Sequence, residues 1–205
     1  MFIQRPIVYL SVVLMMIFLV FSGCIGSDDV HEETTDVPDA KPRDTADNAA
    51  KNPDNDTMIS DTLTITSSAF ESAETIPAKY TCDDENINPY LGISGIPEDA
   101  VSLLLIMDDP DAPMGTFTHW VVWNIPVASQ IDENSIPGVE GKNSAGQASY
   151  TGPCPPSGTH RYFFKVYALD SEIDLESGTE RTLVEDAMSG HVLAYGELMG
   201  TYSRS

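Results

Sequence analysis

The apolar positions change their rhythm several times along this chain. Residues 7–21 are apolar throughout except for Ser11, whereas residues 25–61 contain no aromatic side chain at all. From residue 62 onward, short apolar stretches are separated by turn residues. Residues 63–66, Leu-Thr-Ile-Thr, alternate as a half-buried strand does. Residues 101–107 form an apolar run bounded by Pro97 and Pro110, the pattern of a strand covered on both faces. Residues 119–125 are rich in β-branched and aromatic side chains and predict a third strand. Residues 159–169 predict the longest one. Its alternation puts His160, Tyr162 and Phe164 on one face and Arg161, Phe163 and Lys165 on the other. Residues 138–158, rich in Gly, Pro and Ser, predict a long connection.

The C-terminal end reads differently. Thr182-Leu183-Val184-Glu185 has the form of a capping box, and Leu183, Ala187 and Met188 follow at helical spacing. Ser189-Gly190 interrupts that pattern, and a second helical piece is expected over residues 191–198, stopped by Gly200. Many strands followed by late helices predict a mostly β domain, β-sandwich-like, with peripheral C-terminal helices.

Three regions follow from these patterns. Residues 1–23 carry one base, Arg5, then an apolar stretch and the small residues Ser22 and Gly23, which is the layout of an export signal. The stretch is short for a membrane span, which takes about 20 apolar residues. Cys24 directly after Phe-Ser-Gly resembles the lipidated cysteine of a lipobox, the alternative being an uncleaved anchor. Residues 24–61 are expected to be a disordered acidic tether, since eleven acids against three bases and no aromatic residue leave little to bury. As a flexible chain that segment reaches roughly 30–35 Å. Residues 62–205 are long enough for one domain with a core of its own. The expected location is outside the cytoplasm, at the cell surface or in a periplasm-like space, anchored to a membrane.

Charge narrows the partners. The chain has 32 acids and 10 bases, a formal net charge of −22. The predicted domain keeps six bases against 21 acids. A surface of that sign repels nucleic acid, so nucleic-acid binding is set aside. Beyond Cys24 the cysteines are Cys82 and Cys154. In an oxidising compartment they are a candidate disulfide, with two free thiols as the alternative. No Cys-x-x-Cys pair suggests a zinc site.

Candidate chemistry gathers around rigid turns. Asp109-Pro110-Asp111-Ala112-Pro113, then His119-Trp120, then Gly152-Pro153-Cys154-Pro155-Pro156, then Gly158-Thr159-His160-Arg161-Tyr162 bring two carboxylates, two imidazoles and a phenol to predicted strand ends. Taken singly, an Asp beside Pro is a turn former and a His at a strand end is an edge residue. Taken together, the segments resemble the phosphatidylethanolamine-binding protein family, in its bacterial and archaeal Raf-kinase-inhibitor-like branch, over about residues 62–204. That resemblance implies an anion pocket formed by Asp109, Asp111, His119, His160 and Tyr162, with Gly152 and Pro153 walling it. Imidazole and phenol groups can donate to phosphate oxygens while aspartates orient the imidazoles. The expected ligand is a small phosphate-bearing molecule or a phosphoethanolamine-like head group. Arg161, on the opposite face, is not expected to assist.

The resemblance also implies a binding module with no cofactor, acting as an inhibitor or regulator of an unidentified protein partner. An enzyme reading competes. The Asp/His set could serve a metal-dependent hydrolase, yet its spacing matches no metal motif, and no metal ligands are assigned. There is no Gly-x-Ser-x-Gly elbow for a serine nucleophile. Two prolines follow Cys154 and no activating helix start is evident. No catalytic residue is assigned, and the expectation is a non-enzyme.

Overall fold

The computed structural model describes residues 61–204. The strands are β1 (Asp61–Thr62), β2 (Thr64–Thr66), β3 (Leu91–Ser94), β4 (Ser102–Asp109), β5 (Phe117–Pro126), β6 (Gln130–Ile131), β7 (Val139–Glu140), β8 (Thr159–Leu169) and β9 (Val192–Ser203). One helix, α1 (Arg181–Met188), lies between β8 and β9. The larger sheet has the order β1-β9-β8-β4-β5-β7 and the smaller one β2-β3-β6. The domain is mostly β, as the apolar rhythm predicts.

Strand β4 sits at the centre of the large sheet, antiparallel to β5 on one side and β8 on the other. Every one of its residues is buried. Its apolar run divides between two cores because successive side chains leave opposite faces. Leu103, Leu105 and Met107 join Trp120, Val122, Phe164 and Val166 on what we term the front face. There they pack with Ile65, Leu91, Ile93 and Ile131 of the small sheet. Leu104 and Ile106 join Val121, Trp123, Leu169 and Ile173 on the back face, where Val184 and Met188 of α1 cover them. The sandwich therefore has a sheet in front and a helix behind.

Three C-terminal expectations are corrected. Residues 192–198 of the expected second helix are strand, and His191 lies just before it. Ala194, Gly196, Leu198, Gly200 and Tyr202 are buried in alternation, a period of two. The helix-favouring Leu, Ala, Glu and Met of this segment are outweighed by pairing with β8 from Leu169↔Val192 to Thr159↔Ser203. A Cβ at Gly196 would stand 2.2 Å from the Leu63 carbonyl oxygen, so close approach of the chain entering β2 requires glycine there. At 12 residues, β9 also exceeds β8, which has 11. Finally, α1 starts two residues earlier than the capping box implies. Glu180 occupies the N-cap without a side-chain cap bond, and Thr182 lies inside the helix. Glu185 bonds Arg181 instead, at 2.7 Å. The apolar face is Val184 and Met188; Leu183 and Ala187 are exposed.

Candidate functional site

Four of the predicted groups meet at one end of the front face. Asp109 ends β4, His119 lies near the start of β5, and His160 and Tyr162 stand two apart on β8. Asp109 Oδ2 lies 2.7 Å from His160 Nδ1, both side chains being buried. A carboxylate only accepts, so Nδ1 carries the proton and Nε2 is left for another partner. The other Asp109 oxygen accepts the Asp111 amide at 2.8 Å, closing the turn through Pro110.

Plain alternation along β5 would send His119 to the back face with Val121 and Trp123. A bulge prevents this. Met107 pairs with Trp120, but Asp108 pairs with Thr118, so His119 is the extra residue between them. Such a bulge re-aims a side chain. His119 and Trp120 consequently both turn to the front, and the His119 ring meets Tyr162 edge-on with centroids 5.2 Å apart. Phe117 closes on its other side at 4.8 Å. His119 Nδ1 donates to the Thr151 carbonyl at 2.6 Å, again leaving Nε2. Burial holds the His119 ring below the ordinary imidazole range, with the Thr151 carbonyl and the Asp109 charge opposing. It is therefore neutral at neutral pH, and its Nε2 is then an acceptor.

Tyr162 is fully buried, and its hydroxyl has no hydrogen-bond partner among the described residues. Burial pushes its ionisation up, and Asp109 and Asp111 add to this. The Cys154 amide opposes weakly without making a hydrogen bond to it. The phenol is thus a proton donor at any physiological pH.

Asp111 departs from expectation. Of the two predicted pocket aspartates, only Asp109 orients an imidazole. Both Asp111 oxygens go to Arg161, from Nε at 2.9 Å and Nη2 at 2.7 Å, and the Arg161 amide adds a third bond at 3.0 Å. This guanidinium grip holds the Asp111 carboxyl down to about 2. Arg161, set aside as facing away, reaches the rim of the site through this pair. The bidentate match of guanidinium and carboxylate explains why it does so.

The wall comes from the connection before β8. The Gly152 amide donates to Asn86 Oδ1 at 2.8 Å, and the Pro153 carbonyl accepts from the Cys82 amide at 3.1 Å. A Cβ on Gly152 would lie 2.4 Å from the Tyr80 carbonyl oxygen, so only glycine allows these segments to touch. Tyr150 Oη donates to the same Tyr80 carbonyl at 2.7 Å. Cys82 and Cys154 are bridged, with Cα atoms 5.5 Å apart. Thr151 and Asn86 were not anticipated: one acts through a backbone carbonyl, the other from a segment with no chemical signature. Cys24 lies outside the described residues. Among the described residues, no three His, Cys, Asp or Glu side chains stand together so as to share a metal ion. A recess of about 250 Å³ does exist, but on the back face, lined by Asp108, Pro110, Thr116, Phe163, Lys165 and Glu197.

The phosphatidylethanolamine-binding protein family model matches residues 66–203. The chain belongs to this family. Among its relatives, a UPF0098 protein of Pyrococcus horikoshii is 50% identical over 149 residues, covering 67% of this chain and 75% of the relative. A UPF0098 protein of Chlamydia trachomatis is 43% identical, covering 69% and 99% respectively. Of solved structures, a phosphatidylethanolamine-binding protein homologue from C. trachomatis aligns with a TM-score of 0.68 at 42% identity, over 71% of this chain and all of that one. E. coli YbcL, described as a member of the mammalian family, aligns at 0.65 with 29% identity, over 70% and 99%. The front-face cluster of Asp109, His119, His160 and Tyr162 lies within the matched residues.

Proposed function

We propose that this family member binds a small phosphate-bearing ligand, such as a phosphoethanolamine head group, on the front face of its large sheet. The observation that carries the reading is the Tyr162 hydroxyl, wholly buried and without a partner beside two imidazoles whose Nδ1 atoms are already engaged. A buried donor left unbonded costs about 1–3 kcal/mol, so its retention is best explained by a ligand oxygen that completes it. The two Nε2 atoms extend the match. In the neutral state they accept from an ammonium or a protonated phosphate oxygen; once protonated they donate to the anion. No lysine or arginine joins the cluster directly, and Arg161 is neutralised by Asp111. Binding is accordingly weak and proton-linked.

Calorimetry with phosphate and phosphoethanolamine tests this. Binding is expected with wild-type protein and lost in His119→Ala. Equal binding by that variant would place the site elsewhere. Sulfate isolates the imidazoles, because its charge is constant between about pH 5 and 8, where histidine titrates. An anion favours the protonated ring, so sulfate affinity should rise as pH falls through the depressed His119 titration. Affinity independent of pH would remove His119 from the site.

The same proposal includes a tether outside the cytoplasm, supported by the apolar residues 7–21, Phe-Ser-Gly before Cys24, and the acidic spacer. The protein should fractionate with membranes, and Cys24→Ser should release it or leave the signal uncut. Soluble wild-type protein with an N-terminus far beyond Cys24 would refute the tether.

A further inference from the structure

The site residues are supported from behind by a cluster that the binding reading does not use. Asp108 and Asp109 are consecutive, so they leave opposite faces of β4. Asp109 serves His160 in front. Asp108 is buried on the back face, where Arg181 Nη1 reaches its Oδ1 at 2.5 Å and Lys165 Nζ its Oδ2 at 3.0 Å. Thr118 Oγ1 donates to the same Oδ1 at 3.2 Å. Arg181 Nη1 also donates to Thr118 Oγ1 at 2.7 Å. One guanidinium nitrogen therefore holds both members of the Asp108↔Thr118 pair. That pair is the first one beyond the bulged His119. The guanidinium Nε is held by Glu185, one helical turn along α1.

We propose that Arg181 is a positioning residue, delivered by α1, that sets the β5 bulge and so aims His119 into the front-face site. This rests on the reading of that face as the binding site. The physical reason is local. A bulge leaves the extra residue unpaired and the ladder disrupted, so its register needs a second restraint. Thr118 and Asp108 are where a restraint acts with least slack, being adjacent to His119 and Asp109. Without the guanidinium, β5 can slip toward plain alternation, which turns His119 to the back and separates it from Thr151 and Tyr162.

The test reads His119 directly, by ring NMR of the whole chain without ligand, together with phosphate affinity. In wild type the Nδ1 proton, held by the Thr151 carbonyl, gives a slowly exchanging downfield signal. Arg181→Met should lose or move that signal and weaken phosphate binding by about tenfold or more, as loss of an orienting partner does at other sites. Arg181→Lys should restore part of both. The double variant Asp108→Asn with Arg181→Met leaves no buried carboxylate unpaired, the freed Lys165 keeping about a quarter of its side-chain surface in water, and it should show the same loss should the single variant fold poorly. Val184→Ala loosens the same helix without touching the clamp, and should lower the melting temperature while leaving the His119 signal in place. An unchanged signal in folded Arg181→Met or in the double variant would overturn the proposal. So would an equal shift in Val184→Ala. If wild type binds no phosphate, the binding reading fails, while the His119 signal still decides the role of Arg181.

Discussion

The two faces of the large sheet solve the same problem in opposite ways. Behind it, Asp108 is buried with Arg181, Lys165 and Thr118 around it, and its carboxylate is fully matched. In front, one residue later, Asp109 and His160 are matched to each other, but Tyr162 is left with an unbonded hydroxyl. The back face spends its charged groups on the fold, although the Trp123 indole N–H there is also buried without a partner. On the front face the unbonded hydroxyl stands beside the His119 ring, and that combination is what the proposed ligand site rests on. Two adjacent aspartates thus differ in role because of their partners, not their chemistry.

That contrast can be broken in three places. The largest effect is expected at the wall of the front face. Cys82 and Cys154 are 72 residues apart, and a bridge closing so long a loop contributes about 4 kcal/mol by restricting the unfolded chain. Replacing both by Ser should lower stability by about that much and loosen the Gly152–Pro153 wall, weakening anion binding as well. Denaturant unfolding with and without phosphate separates the two effects, and a variant as stable as wild type would count against the bridge.

Next comes the back face. Asp108→Ala strands two cations that each keep roughly a quarter of their side-chain surface in water, so the loss should sit near the low end for broken buried pairs, about 3 kcal/mol. A melting point unchanged from wild type would show that the cluster is not what secures the sheet. The smallest stability effect belongs to Tyr162→Phe. Removing an unpartnered hydroxyl should leave stability unchanged or raise it by up to about 1 kcal/mol, yet weaken phosphate binding by about tenfold. A large loss of stability without any loss of binding would reverse the roles assigned to the two faces.

Much of this is written in period-two patterns. The β8 alternation places His160 and Tyr162 correctly beside each other, and the apolar run of β4 declares its central position. Both depend only on neighbours in sequence. What was hidden depends on distant partners. The bulge that turns His119 forward is fixed where β4 and β5 pair, near a helix that arrives some sixty residues later. Residues 191–198 favour a helix locally, yet from Val192 onward they are strand because β8 supplies a long unpaired edge. Asp111 was expected to orient an imidazole, but the guanidinium beside it in space offered a better geometric match. The meeting of Cys82 with Cys154 could not be read from spacing, since a loop of that length sets no distance between its ends.

The most direct measurement is a crystal structure of the protein soaked in phosphoethanolamine. The phosphate is expected on the front face, with one oxygen within hydrogen-bond distance of Tyr162 Oη and another at Nε2 of His119 or His160. A phosphate ordered instead against Lys165 in the back-face recess, with the Tyr162 hydroxyl still unbonded, would contradict the account.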